Sequence, residues 1–119
     1  EACPSARRPR VTPAQRLEAF RKIVERSPDD PFARYSLAMG SRGAGRLDEA
    51  VVEFEELARR IPGYVPTYLM WGQTLEMAGR GAEAGPVYDR GIEAARHAGN
   101  DHALSELTQA REALGPGRG

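Results

Sequence analysis

Cysteine is nearly absent from this chain. Cys3 is the only one in 119 residues, so no internal disulfide can form and cysteine use does not report the compartment. Net charge is absent too, because 17 basic and 17 acidic side chains cancel. A neutral chain makes no electrostatic case for nucleic acid or a membrane surface as partner. No apolar run is long enough to span a bilayer; the most apolar stretch, Ile61 to Gly72, is interrupted by Pro62 and Pro66. Histidine is scarce: His97 and His102, with Asp101 between them, fall short of the three or four converging ligands a metal requires. No Ser, His and Asp grouping falls in a catalytic motif, and the glycines near 40 to 45 follow no strand, as a phosphate loop would demand. We therefore expect no enzyme, no cofactor and no metal. Lysine is almost missing, with a single Lys against sixteen Arg, which together with the Ala and Gly content points to a GC-rich bacterial gene.

What remains suits one water-soluble globular domain, with 40% hydrophobic residues and a mean hydropathy of −0.56. The chain begins at Glu1 rather than at methionine, so we expect a processed or excised piece, with a cytoplasmic setting favoured. Residues 1–11 hold Pro4, Pro9, Arg7, Arg8 and Arg10 without apolar periodicity and are expected to be a disordered basic arm. Residues 115–119 read as a flexible tail.

The aromatics are few, and their positions carry information. Phe20, Phe54 and Tyr88 stand 34 residues apart. At the same spacing Leu37 answers to Trp71, Ala38 to Gly72, Gly45 to Gly79, Arg46 to Arg80, Glu49 to Glu83 and Ala50 to Ala84. A period of that length marks stacked helical hairpins. Thr12 with Pro13 and Gln15 is a capping box, and Leu17, Phe20, Ile23 and Val24 follow at helical spacing until Ser27-Pro28. Asp30 and Pro31 open a second helix that should run to about Arg42, and Gly43-Ala44-Gly45 supplies the turn. Leu47, Ala50, Val51, Phe54, Leu57, Ala58 and Ile61 form the stripe of the third. Tyr68, Trp71, Gly72 and Leu75 carry the packing face of the fourth. The fifth contains Gly85-Pro86 and is expected to start late, near Glu83, or to kink. Asn100 or Asp101 caps a sixth helix bearing Leu104, Leu107 and Leu114. The acidic run Asp48, Glu49, Glu53, Glu55 and Glu56 reads as a solvated face at the positive end of the third helix, with Arg59 and Arg60 at its other end.

The order Leu-Ala, Gly, Ala, Phe, Pro in one unit and Trp-Gly, Gly, Ala, Tyr in the next closely resembles the tetratricopeptide repeat, over roughly residues 13–99. The resemblance implies an all-α, right-handed α-α superhelix of six antiparallel helices. Its units are a half repeat at 12–30, full repeats at 31–64 and 65–98, and a capping helix at 100–114. It also implies a non-enzymatic module that binds another protein or peptide. Groove-facing positions of such repeats fall here on Phe32, Tyr35, Ser36, Met39, Arg42 and Gly43, then Pro66, Leu69, Met70, Gln73, Glu76 and Met77. Of these, Phe32, Tyr35, Met39, Leu69, Met70, Gln73 and Met77 are the candidate partner-binding set. Chaperone-adaptor branches of the family grip a C-terminal carboxylate with Lys and Asn at such places; here Tyr35, Met39, Leu69 and Gln73 stand there, so that clamp is missing. An apolar groove rich in Met suits an apolar or amphipathic segment. Two alternatives stay open: the apolar groups pack beneath the terminal helix or arm, or the chain is an assembly subunit that dimerises or stacks through its exposed faces.

Overall fold

In the computed structural model, which describes residues 10–115, six helices follow one another: α1 (Pro13–Arg26), α2 (Pro31–Gly43), α3 (Leu47–Arg60), α4 (Pro66–Met77), α5 (Gly81–Ala98) and α6 (Asp101–Leu114). Among these residues there is no strand. Most of the basic arm and the tail lie outside the described residues.

Local chemistry sets the helix ends. Thr12 Oγ1 accepts the Gln15 N–H at 3.1 Å while Gln15 Oε1 accepts the Thr12 N–H at 2.9 Å, closing the capping box. Asp30 Oδ1 accepts from Phe32 N–H at 3.0 Å, with Pro31 preset at the first helical position. Asn100, rather than Asp101, caps α6, accepting from Ala103 N–H at 3.0 Å. The two hairpin turns are copies of each other. Gly45 and Gly79 sit at φ of +79° and +76°, where a side chain would be strained. Arg46 N–H then reaches back to Ser41 O at 2.9 Å and Arg80 N–H to Leu75 O at 2.8 Å. These are Schellman closures of the same form.

The helix holding Pro86 departs from the sequence expectation. It begins at Gly81, earlier than Glu83, and runs without interruption to Ala98. Pro86 is exposed, so the carbonyl it leaves without a donor, that of Ala82, lies on the water side of the helix. Water has access to that carbonyl, and burial of the opposite face by Ala84, Val87 and Tyr88 holds the turn.

Each helix packs on the next, and α2 also packs on α4 and α4 on α6. The outer helices α1, α3 and α5 bring no Cα atoms of neighbouring members within 8 Å. Close approach in one row and wider separation in the other curve the layer, with α2, α4 and α6 inside. The principal core runs between the rows and contains Ala38, Ala50, Phe54, Trp71, Leu75, Ala84, Tyr88 and Leu107. Small residues permit the crossings: a Cβ on Gly72 would lie 2.2 Å from Tyr88 Cε1, and one on Gly91 2.5 Å from Tyr68 Cβ.

Two further expectations are corrected. Ile23, placed in the apolar stripe of α1, is 43% exposed, whereas its counterpart Leu57 is 1% exposed. The cause is the number of neighbours: α1 packs on α2 alone among the described helices, and α3 lies between two. The acidic run is more than a solvated face. Glu49 accepts Arg21 at 3.3 Å, Asp48 accepts Arg80 at 3.3 Å and Glu53 accepts the buried Arg34 at 2.9 Å, so these acids tie α3 to α1, to the start of α5 and to α2. Glu56 accepts from Arg59 and Arg60, whose guanidinium groups hold its carboxyl down at about 2.

Candidate functional site

Helices α2, α4 and α6 run parallel along the concave side, and residues 34 apart on them converge. Tyr35, Leu69 and Ala103 occupy equivalent places on the three helices, and all three line one open cavity of about 260 Å³. Val65, Pro66, Met70 and Leu107 complete its apolar wall, and Asn100, His102 and Glu106 form the rim on α6. His102 Nε2 stands 3.5 Å from Glu106 across that rim. Arg42, Glu76 and Ala110 are the next equivalent trio, and they line a second, shallower cavity of about 420 Å³ with Gln73, Met77 and Tyr88.

The walls are built from the core outward. Tyr35 is half-buried, its ring edge-on to Phe54 at 6.2 Å and to Tyr64 at 5.9 Å. Burial raises its phenol pKa above 10.0, the nearby Tyr64 adds to that, and Arg42 partly offsets it. Tyr88 is fully buried and donates its hydroxyl to Glu76. Burial first and the Glu76 carboxylate second push its pKa far above 10.0, so it stays a neutral donor. Arg42 Nη1 lies 3.5 Å from Met70 Sδ. What this face can do chemically is exclude water from an apolar group while presenting a few charges. Among the described residues no three of His, Cys, Asp and Glu come together as a metal site, and no helix is long and apolar enough to cross a membrane.

The sequence-based set is divided by the structure. Tyr35, Leu69 and Met70 line the first cavity, and Gln73 and Met77 the second. Met39 is half-buried and packs against the main core between them. Phe32 stands 68% exposed at the start of α2 and lines neither cavity. Leu69 and Met70 are partly buried against the main core and face the α6 residues across the first cavity. Sequence reasoning missed the contribution of α6 itself: Asn100, His102, Ala103, Glu106, Ala110 and Ala113. The signal was available, since one more step of 34 from Leu69 reaches Ala103 and from Glu76 reaches Ala110.

No protein-family model matches the chain, and no curated protein matches it. Solved structures do. The crystal structure of a tetratricopeptide repeat domain protein from Salinibacter ruber is 39% identical, with a TM-score of 0.67, over 71% of this chain and 94% of that one. A solution structure of a tetratricopeptide repeat domain protein from the same organism is 38% identical, with a TM-score of 0.71, over 75% of this chain and 90% of that one.

Proposed function

The chain belongs to the tetratricopeptide-repeat family, and from that premise we propose that it is a non-enzymatic scaffold whose concave groove holds an apolar or amphipathic segment of another protein. One observation carries the reading: three parallel helices place equivalent residues, Tyr35, Leu69 and Ala103, around one open apolar cavity. A core would have closed that space, since interiors are packed to near-crystalline density. The decisive experiment is to identify a partner with the parent protein, purify it, and titrate it against Tyr35→Ser, Leu69→Ser and the double variant. Affinity should fall sharply, because apolar area removed from water is worth about 25 cal/mol per Å². The helical signal and thermal midpoint should stay close to the parent. Loss of stability instead of affinity would assign these side chains to the core.

A second reading, self-association, is favoured by exposed apolar groups outside the two cavities, Phe32 at 68% and Ile23 at 43%. Light scattering over a dilution series separates the two: a persistent monomer removes self-association.

A further inference from the structure

Resting on the groove reading above, we propose that the held segment carries an internal side-chain carboxylate that docks on Arg42, a short step along from an apolar side chain seated between Tyr35, Leu69 and Ala103. Arg42 lies in the last turn of α2, partly buried on the wall of the second cavity. Among the described residues its one side-chain hydrogen bond goes to the thioether of Met70 at 3.5 Å, and no carboxylate stands within 4.0 Å. A guanidinium carries five N–H donors and a thioether is a weak acceptor, so most of that capacity is left for a ligand or water. Arg34, on the same helix, is paired with Glu53 at 2.9 Å. The helix C-terminus favours a cation, but a side chain swung into solvent would serve the dipole equally. Here the guanidinium is laid across Met70 inside the groove.

Glu76 decides the sign. It lines the same cavity on α4, but it already accepts the Tyr88 hydroxyl from α5. Glu76 holds a strong hydroxyl donor and Arg42 only a weak thioether acceptor, so the guanidinium has the larger unused capacity, and charge-assisted bonds to it are strong and directional. The geometry also sets a spacing. On α4 the first cavity is lined by Pro66, Leu69 and Met70 and the second by Gln73, Glu76 and Met77, seven residues further on. At about 1.5 Å per residue along a helix the two cavities lie roughly 10 Å apart. An extended strand covers that distance in about three residues. The favoured ligand pattern is thus an apolar residue and an Asp or Glu three positions apart, in either chain direction. Since the places that grip a chain terminus in adaptor branches of the family carry Tyr35, Met39, Leu69 and Gln73, the carboxylate is that of a side chain.

The test uses synthetic peptides with both ends blocked, of pattern Leu-x-x-Glu, Leu-x-x-Gln and Leu-x-x-Lys in a Gly/Ser background, each made in both chain directions and titrated against the parent protein by NMR. Affinity should fall in that order, with the Glu peptide about tenfold tighter than the Gln peptide, the equivalent of about 1.4 kcal/mol. Arg42→Gln should erase this gap, and added salt should narrow it. Glu76→Gln, which keeps an acceptor for Tyr88, should widen it. If the Lys peptide binds best, or the gap survives Arg42→Gln, the assignment of Arg42 is overturned. If all three bind equally and Leu69→Ser abolishes them, the apolar cavity stands and the carboxylate docking falls. If a Gln peptide with a free C-terminus matches the blocked Glu peptide, the ligand group is a chain end, not a side chain. If none binds, the groove reading and this inference fall together.

Discussion

The two hairpins, α2–α3 and α4–α5, share one backbone plan and fill it differently. The first crosses Ala38 with Phe54; the second crosses Gly72 with Tyr88, and all four are buried. Where the aromatic gains a hydroxyl, its small partner loses a methyl group, so the space at the crossing is conserved while its contents change. The position occupied by Arg34 in one hairpin holds Tyr68 in the other. Arg34 donates through Nη1 to Glu53 at 2.9 Å and leaves its buried Nε without a partner, while Tyr68 donates to Pro62 O at 2.6 Å and lies with Trp71 beneath the guanidinium of Arg90. The lesson is that the turn glycines and the small-to-large pairing fix the hairpin, and the rest of the interface is free to be ionic or aromatic.

Three experiments press on that comparison. The largest effect should come from Phe54→Ala and Trp71→Ala, one per hairpin. Each removes a buried aromatic worth about 3–5 kcal/mol, a large part of the stability of a small domain. Urea denaturation should show both midpoints shifted well down; if either variant matched the parent, the pairing of the hairpins would be wrong. Next comes the exchange of the small residues. Gly72→Ala drives a methyl group into the Tyr88 ring and should cost about 1–3 kcal/mol by overpacking. Ala38→Gly should cost about 1–2 kcal/mol, through helix propensity and the loss of a buried methyl group. A Gly72→Ala variant as stable as the parent would mean that the second crossing has room for a methyl group, against the geometry.

The smallest effect is alkaline. The folded state raises the pKa of Tyr35, Tyr68 and Tyr88 above 10.0, chiefly through burial. A raised folded value means that the unfolded chain releases its proton first. Stability from these groups is therefore complete below pH 10 and declines as pH rises beyond it. Tyr88→Phe, which makes the second hairpin like the first, should remove part of this decline in thermal melts between pH 9 and pH 11. A decline identical to the parent's would place the sensitivity elsewhere.

Much of this was legible in the sequence, and for physical reasons. Gly45 and Gly79 announce turns because only glycine is comfortable at their φ, and Phe54, Trp71 and Tyr88 announce the core because so few aromatics compete with them. The candidate positions on α2 and α4 came from the resemblance to tetratricopeptide repeats, and of them Tyr35, Leu69, Met70, Gln73 and Met77 line the two cavities while Phe32 lines neither. Those on α6 were obscured because α6 repeats the spacing but not the residue types: Ser105 and Glu106 stand where Trp71 and Gly72 would recur. Pro86 misled because a local rule about backbone donors does not say which side of a helix will face water. The exposure of Ile23 is a tertiary fact, set by how many helices adjoin α1, and no local pattern encodes it.

The two rows of this layer are tied by different forces. The inner helices approach one another across the shared hydrophobic core. The outer helices are bridged by ion pairs such as Arg21–Glu49 and Arg80–Asp48, whose partners are exposed enough to be softened by solvent. Added salt therefore weakens the ties of the convex row and leaves the hydrophobic seams of the concave row in place.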